Sequence, residues 1–214
     1  MTQAQPLSRT DETLDCFHHA IIGYTGSGKT SFIKRHPFYT ERPRVLAWDP
    51  EESYKGLRTY TTIKGFLAAV REAGYNDIRA RLVMEPTTEN FEAFCEIVWR
   101  VAHQAKPMLV IAEELSDVCS PGKASRFWGQ ILRKGRKYAI AAFSVSQRPQ
   151  EIDKTCFSQS VFKWCGVLGS MADYKYMANV INVPVEELQK LQELQFYIRK
   201  GAKCPKPGEI VFNH

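Results

Sequence analysis

One short stretch restricts the folds open to this chain more than any other. Residues 23–30 read GYTGSGKT, which fits the pattern G-x-x-x-x-G-K-[ST] of a phosphate-binding P-loop. The glycines of such a loop let backbone N–H groups approach a triphosphate closely. Lys29 can then reach the β- and γ-phosphates, and the Thr30 hydroxyl can ligate Mg²⁺. The stretch predicts a nucleotide site made of Gly23, Tyr24, Thr25, Gly26, Ser27, Gly28, Lys29, Thr30 and Ser31.

The residues on either side of the loop support this interpretation. The apolar run at residues 16–22 predicts a buried strand, and residues 30–35 predict a helix whose N-terminus faces the phosphates. Pro37 is expected to end that helix early. The alternative is a surface turn rich in Gly and Ser, and it is disfavoured because strand, loop and helix follow one another in the order that a P-loop needs.

Strands and helices alternate along the rest of the chain. Apolar runs predict strands at residues 44–48, 79–84, 108–112, 138–145 and 161–167. Helical periodicity is present at residues 63–72, 88–105, 124–134, 172–181 and 185–191. Residues 194–198 and 209–212 predict two terminal strands, a β-hairpin around a turn rich in Lys, Pro and Gly. This alternation predicts an α/β fold, a mostly parallel sheet with helices on both faces.

Length and composition exclude several other classes of protein. A chain of 214 residues suffices for one sizeable domain, here predicted at residues 14–214 after a loose arm at residues 1–13. No apolar run approaches the roughly 20 residues that cross a bilayer, and the N-terminus lacks the apolar core of a signal peptide. The six cysteines form no C-x-x-C pair, which favours buried thiols in a reducing compartment. The histidines show no metal-binding spacing, and His18 and His19 should point to opposite faces of their strand.

Positive charge is concentrated in one segment. Residues 122–154 contain eight Lys or Arg against two acidic residues, so this segment accounts for the whole net charge of +6. Such a segment suggests a polyanionic partner or nucleotide phosphates. A solvated helix face is the alternative.

Two further stretches carry residues suited to phosphate chemistry. Glu113 and Glu114 directly follow the apolar run at residues 108–112, which is the place of a Walker-B motif. There the first acid can hold the Mg²⁺ shell and the second can polarise the attacking water. The alternative is an acidic pair at a helix N-terminus. Gln147 ends a predicted core strand, where it can sense the γ-phosphate or orient water, although many glutamines at such positions are merely solvated.

In their order along the chain, these stretches resemble one family. GYTGSGKT, VLAWDPEES, LVIAEEL and GRKYAIAAFSVSQRP are similar to the FtsK/HerA superfamily of ring-forming DNA translocases over about residues 16–167. The small size of the chain is most like the viral branch, the genome-packaging ATPases of tailless phages and archaeal viruses with an internal membrane. The resemblance implies a RecA-like fold, ATP and Mg²⁺ as ligands, and double-stranded DNA as partner. It also implies a ring homo-oligomer, a hexamer or pentamer, that works in the host cytoplasm and at the virion packaging vertex with capsid or membrane packaging proteins.

The resemblance assigns roles to individual residues. Lys29 and Thr30 take the phosphate and metal positions, Glu113 the Walker-B acid, Glu114 the catalytic base and Gln147 the sensor. Asp49 matches an acidic position after the second strand. A glutamate at 113, in place of the usual aspartate, and the short helix after the P-loop depart from the pattern.

The arginine that would stabilise the transition state is expected to come from a neighbouring subunit. Arg136 best matches the family's basic position, while Arg133 and Arg148 are the alternatives. Because Arg136 precedes the strand that ends in Gln147, it should lie at the opposite edge of the sheet from its own nucleotide. The alternative for Arg136 is a solvated charge or a contact to the DNA backbone, because the whole segment is basic.

Three other functions remain open from the sequence. One is a cellular or plasmid-borne translocase or helicase subunit, which would normally carry extra domains. Another is a small-molecule kinase, which predicts an Arg-rich lid. The third is a non-catalytic nucleotide switch, which the intact Lys29 and Glu114 disfavour.

Overall fold

Nine strands form a single sheet in the part of the chain that the computed structural model describes, residues 8–212. Their order across the sheet is β3-β4-β2-β5-β6-β1-β7-β8-β9. Every neighbouring pair from β3 to β7 is parallel, whereas β8 and β9 pair antiparallel and form a C-terminal hairpin. The predicted α/β class, with a mostly parallel sheet, is confirmed.

The strands and helices have the following bounds. The strands are β1 (His19–Ile22), β2 (Arg44–Trp48), β3 (Arg58–Tyr60), β4 (Ile78–Leu82), β5 (Met108–Ala112), β6 (Ile140–Ser146), β7 (Phe162–Cys165), β8 (Gln195–Lys200) and β9 (Lys206–Glu209). The α-helices are α1 (Lys29–Arg35), α2 (Pro37–Glu41), α3 (Ile63–Ala73), α4 (Thr88–Val101), α5 (Arg126–Lys134), α6 (Lys154–Gln159), α7 (Met171–Ile181) and α8 (Val185–Gln189).

The centre of the sheet is covered on both faces. All residues of β2, β5 and β6 are buried, which explains why these strands are nearly continuous apolar runs rather than alternating ones. A large apolar cluster lies on the face that carries α3, α4, α5, α6 and α7. A smaller cluster, which includes Ile33 of α1 together with Tyr54 and Leu57, lies on the other face. Side chains that alternate along β1 divide between the clusters, with Ala20 and Ile22 in the first and Ile21 in the second.

Four helices begin at a side chain that accepts a hydrogen bond from the backbone N–H three residues later. These N-terminal caps are Thr62 for α3, Thr87 for α4, Asp153 for α6 and Ser170 for α7. The helices therefore start where local sequence signals place them.

Contacts from distant residues move two helix ends away from their predicted positions. Helix α5 begins at Arg126 rather than at 124, where the carboxylate of Glu92 accepts bonds from the N–H groups of Phe127 and Trp128. Helix α4 ends at Val101 rather than at 105, and the guanidinium of Arg9 donates to three carbonyls at that end. In both cases a charge complements the helix dipole.

The contacts of Arg9 also bear on the predicted N-terminal arm. Its described part, residues 8–13, is attached to the domain, since Asp11 N donates to Lys137 O and Gln104 N donates to Arg9 O. Residues 1–7 of the arm lie outside the described part of the chain.

The bounds of two strands also differ from the predicted ones. The last strand is Lys206–Glu209, not 209–212, since Pro207 is tolerated in an edge strand. Strand β6 begins at Ile140 rather than at 138, after a 3₁₀ turn that ends in Ala139 with φ 55°. Strand β3 and helices α2 and α6 were not predicted from the sequence. Pro37 does follow the end of α1, and it also opens α2, where its fixed φ suits the first helical position.

The cysteines, the possible metal ligands and the helix lengths can be compared with what the composition predicts. The six cysteines are free thiols. Among residues 8–212 no group of His, Cys, Asp and Glu side chains is arranged to hold a metal ion by itself. In the same range no helix is long and apolar enough to cross a membrane.

Two buried histidines make stability depend on pH. His18 Nδ1 accepts a hydrogen bond from Ala142 N at 3.0 Å, and the ring of His19 stacks on Phe162 at 4.4 Å. Burial lowers the pKa of His18 to about 4 and the pKa of His19 to about 3. In the unfolded chain a histidine pKa is about 6.5. Between these values only the unfolded state takes up the protons, so stability that is full above pH 6.5 is lost as the pH falls.

We therefore expect the free energy of unfolding to fall by about 1.4 kcal/mol per pH unit for each histidine below pH 6.5. Urea unfolding at pH 7.0, 6.0 and 5.0 measures this dependence. His19→Phe keeps an aromatic ring against Phe162, and it should remove about half of the dependence contributed by this pair. An unchanged pH slope in that variant would contradict the assignment.

Candidate nucleotide-binding and catalytic site

The P-loop connects β1 to α1, and its glycines are required by backbone conformation and by space. Gly26 and Gly28 have φ angles of 85° and 97°, in the left-handed region that disfavours other residues. A Cβ atom on Gly28 would lie 2.7 Å from Ile210 Cδ1 and 3.1 Å from Leu194 Cδ2. The C-terminal chain thus packs directly on the loop.

The ammonium group of Lys29 lies inside the loop. Its Nζ donates to Gly23 O at 2.6 Å and to Tyr24 O at 3.3 Å. Burial lowers the pKa of Lys29, while the nearby carboxylates of Glu113 and Glu114 oppose that shift. The loop therefore holds a cation where a phosphate chain would lie.

Glu113 follows β5 and is buried. Its N–H donates to Trp48 O, which continues the pairing of β2 with β5 by one residue. The hydroxyl of Tyr54 donates to Glu113 Oε1. Burial raises the pKa of Glu113 to about 7, and the Tyr54 bond and the charge of Lys29 limit the rise.

Glu114 is also buried, and it is held by different partners. Its φ of 42° is left-handed, which turns the chain sharply after β5. Ser116 Oγ donates to Glu114 Oε1 at 2.6 Å. Gln147 donates from its backbone N to Oε1 at 3.3 Å and from its side-chain Nε2 to Oε2 at 3.0 Å.

Gln147 bridges the P-loop and Glu114. It follows β6, which lies between β5 and β1 in the sheet. Its Oε1 accepts a hydrogen bond from Thr25 Oγ1 at 2.8 Å, while its Nε2 donates to Glu114. A single side chain thereby connects the phosphate loop to the second acid of the predicted Walker-B pair.

These groups line a cleft of about 270 Å³ at the carboxyl edge of the sheet. The lining residues are Tyr24, Thr25, Gly26, Gly28, Lys29, Thr30, Ser31, Glu51, Ser53, Glu113, Glu114, Gln147 and Leu194. The structure therefore brings together the predicted phosphate, metal, base and sensor residues. The carbonyl of Gly23 accepts a hydrogen bond from Lys29, and Ser27 is a buried residue of the loop.

Arg136 lies away from this cleft. It belongs to the 3₁₀ turn before β6, a seven-residue strand that is about 23 Å long at the usual rise. Its Nη1 donates to Glu12 O at 2.7 Å and to Leu14 O at 2.8 Å. Its role as an arginine finger stays a prediction, as do the roles of the cleft residues.

Several residues of the site were not found from the sequence. Glu51 and Ser53 line the cleft from the segment after β2, and Leu194 lines it from the chain before β8. The WDPEES stretch was a signal for the first two. Leu194 had no signal, because only the packing of the C-terminal chain brings it to the loop.

Asp49 directly follows β2 and lies in the turn after this strand. Its carboxylate is fully buried and accepts bonds from Ser53 N, Tyr54 N and the Arg81 guanidinium at 2.8 to 2.9 Å. Asp49 therefore holds the turn after β2 and does not face the cleft.

The donor set of the cleft suits a nucleotide triphosphate with a hard cation. Thr30, Ser53 and Glu113 line the same cleft, and each carries side-chain oxygen atoms. Oxygen atoms are the ligands that Mg²⁺ prefers. Backbone N–H groups at the start of α1, together with Lys29, suit an anion.

Comparison with known proteins agrees with this geometry. The chain is 41% identical over 216 aligned residues to protein P9 of Pseudoalteromonas phage PM2, an alignment that covers 99% of this chain and 98% of P9. It is 33% identical over 103 residues to the DNA double-strand break repair helicase HerA of Pyrococcus furiosus, which covers 44% of this chain and 19% of HerA.

The fold is shared with the genome-packaging NTPase B204 of Sulfolobus turreted icosahedral virus 2, with a TM-score of 0.75 at 12% identity over 92% of this chain and 99% of B204. This chain belongs to the family of protein P9, and its similarity to HerA is consistent with an ATPase of the FtsK/HerA type. No family model matches the chain. The resemblance found in the sequence is confirmed, and the RecA-like fold of this ATPase agrees with it.

The separate surroundings of Lys29 and Glu114 predict separable defects in this ATPase. Lys29→Ala should weaken triphosphate binding and abolish turnover, because the phosphates lose their cation. Glu114→Gln should retain triphosphate binding and lose about 10²- to 10⁴-fold in turnover, because an amide of the same shape cannot accept a proton.

Binding of a fluorescent ATP analogue and steady-state phosphate release measure the two effects. Glu51→Gln is the matched control, since it removes a carboxylate from the same cleft outside the Glu114–Gln147 contact. Equal losses of binding in Lys29→Ala and Glu114→Gln would show that Glu114 is not the base.

Proposed function

We propose that this ATPase is a double-stranded DNA translocase that acts as a viral genome-packaging motor and pumps DNA into a preformed capsid. The observation that carries the proposal is the convergence of Lys29, Glu113, Glu114 and Gln147 on one cleft. Similarity over nearly the whole length to a phage protein, and a fold shared with a viral packaging NTPase, support the viral setting.

The residues of the cleft divide the reaction between them. The P-loop backbone and Lys29 would bind the triphosphate, and Thr30 and Glu113 would hold the Mg²⁺, which would neutralise phosphate charge. Glu114 takes a proton from the attacking water, and its present bonds to Ser116 and Gln147 orient its carboxylate. Gln147 contacts Thr25 of the P-loop, so the occupancy of the loop and the position of Glu114 are linked through one side chain.

Double-stranded DNA is the partner best suited to the basic segment. The loop at residues 116–125 leads from Glu114 to α5; it carries Lys123, and α5 begins with Arg126, and both side chains are exposed. Its first residue, Ser116, donates directly to Glu114. A displacement of this loop by DNA would therefore reach the catalytic base through one hydrogen bond, which supports stimulation of the ATPase by DNA.

We expect charge reversal of Lys123 and Arg126 to Glu to reduce DNA-stimulated turnover while basal turnover is retained. If both residues contact phosphates, the plot of log affinity against log salt should become shallower by about 2. Reversal of Lys64 and Arg71, which lie exposed on α3, alters the net charge equally and serves as the control. Binding that ignores salt, or a parallel loss of basal and stimulated activity, would exclude the loop as the DNA contact.

A ring whose sites lie between subunits would complete the catalytic centre. Among the described residues that line the cleft there is no arginine, although phosphoryl transfer needs a cation for the charge that grows on the γ-phosphoryl oxygens. Arg136 lies at the opposite edge of the sheet from its own cleft, where a neighbouring subunit can use it. Its bonds to Glu12 O and Leu14 O show that it also attaches the N-terminal segment.

A mixing experiment tests Arg136 as that cation. Arg136→Ala and Lys29→Ala proteins should each be inactive alone, and mixed oligomers should regain part of the ATPase activity, since some interfaces pair an intact P-loop with an intact arginine. Lys137→Ala is the matched control, because Lys137 also attaches the N-terminal segment, through Glu12 at 2.7 Å. Full activity of Arg136→Ala, or no recovery in oligomers shown to be mixed, would remove Arg136 from this role.

The function as a whole is tested by turnover with and without double-stranded DNA on oligomers of measured size. We expect stimulation by DNA of any sequence. ATPase activity that DNA leaves unchanged at low salt would contradict the translocase.

A further inference from the structure

The turn after β2 is built so that one side chain reaches the predicted metal carboxylate. Strands β2 and β5 are parallel neighbours, with Trp48 opposite Ala112. The residues that follow them therefore leave the sheet side by side. This register places Tyr54, five residues beyond Asp49, beside Glu113.

A buried ion pair holds that turn. Asp49 Oδ2 accepts from Arg81 Nη1 at 2.9 Å, and the side chains are 0% and 5% exposed. The same carboxylate accepts the backbone N–H groups of Ser53 and Tyr54, and Glu52 adopts a left-handed φ of 56° within the turn. Arg81 Nη2 also contacts Glu52 at 3.2 Å. Three charged side chains and two backbone bonds thus fix the backbone of Tyr54.

Tyr54 itself is fully buried, and its hydroxyl has a definite partner. Its ring packs in the smaller apolar cluster and lies 5.8 Å from the ring of Tyr39. Its hydroxyl donates a hydrogen bond to Glu113 Oε1. The tyrosine adds only this hydroxyl to what a phenylalanine would supply by packing.

We propose that Tyr54 is the positioning residue of Glu113: its hydroxyl holds one carboxylate oxygen and so orients the group for the Mg²⁺ of the nucleotide complex, while Asp49 and Arg81 hold Tyr54. This inference rests on the proposed nucleotide site, and it adds a residue that no motif indicates. Groups that orient metal ligands typically contribute 10- to 100-fold to metal affinity.

Tyr54→Phe tests the proposal, with binding of a fluorescent ATP analogue as the readout. Titrations with Mg²⁺ should show a requirement for the ion that is about 10- to 100-fold higher than in the unchanged protein. Binding of the analogue in EDTA should not change, because Lys29 and the P-loop backbone are untouched. Tyr39→Phe is the matched control, since it removes a neighbouring phenol that does not contact Glu113.

A double-variant cycle separates positioning from a general effect on the fold. If Tyr54 acts through Glu113, adding Tyr54→Phe to Glu113→Gln should leave the Mg²⁺ requirement as it is in Glu113→Gln alone. Additive effects of the two substitutions on the Mg²⁺ requirement would overturn the proposal. So would Tyr54→Phe alone, if its Mg²⁺ requirement were unchanged or if it lost nucleotide binding equally with and without Mg²⁺.

Two further observations complete the test. Asp49→Asn retains the Tyr54 phenol but weakens the contacts that hold the Tyr54 backbone, so it should raise the Mg²⁺ requirement by a smaller factor than Tyr54→Phe. If Tyr54→Phe does not fold, an unchanged Mg²⁺ requirement in Asp49→Asn counts against the proposal. Absence of Mg²⁺-dependent binding in the unchanged protein would instead refute the nucleotide site itself, so the two failures are distinguishable.

Discussion

Main-chain hydrogen bonds between β2, β5, β6 and β1 set the geometry on which the site depends. These four strands are parallel neighbours in the sheet, and each leaves the sheet at the same edge. The segments that follow them supply, in the order of the strands, the Asp49 turn, the two glutamates, Gln147 and the P-loop. Because β2, β5, β6 and β1 are buried along their whole length, a one-residue slip in register would move side chains from one packed apolar cluster to the other, and the edge is therefore well defined.

The two glutamates at this edge are held in different ways. Glu113 faces the turn after β2 and accepts a bond from a buried phenol, whereas Glu114 turns through a left-handed backbone toward Ser116 and Gln147. Adjacent residues thereby enter separate hydrogen-bond networks, one anchored by the Arg81–Asp49 ion pair and the other tied to the P-loop through Thr25. Two neighbouring carboxylates with separate partners can take separate tasks, as a metal ligand and a base must.

Much of the fold could be predicted from local patterns. Nearly continuous apolar runs indicated β2, β5 and β6 because strands covered on both faces carry few polar residues. Thr62, Thr87 and Ser170 begin their helices through bonds within the next turn. The predicted helix ends were wrong where residues distant in sequence determine them. Glu92 sets the start of α5, and Arg9, about 90 residues away along the chain, binds the end of α4. The predicted position of β9 was wrong because its sequence, KPGE, is typical of a turn, whereas an edge strand tolerates Pro207.

By itself the sequence determined the chemistry of this protein: a P-loop, an acidic pair and a glutamine, each at the end of a strand, and a family resemblance that whole-length similarity confirms. Those signals are local, since a loop that binds phosphate needs its glycines and lysine in one short stretch. Only the tertiary structure decided how the groups are held. The contacts of Tyr54 with Glu113, of Thr25 with Gln147 and of Leu194 with Gly28 join residues between 59 and 166 positions apart. Such contacts arise from strand order and chain packing, and no local pattern encodes them.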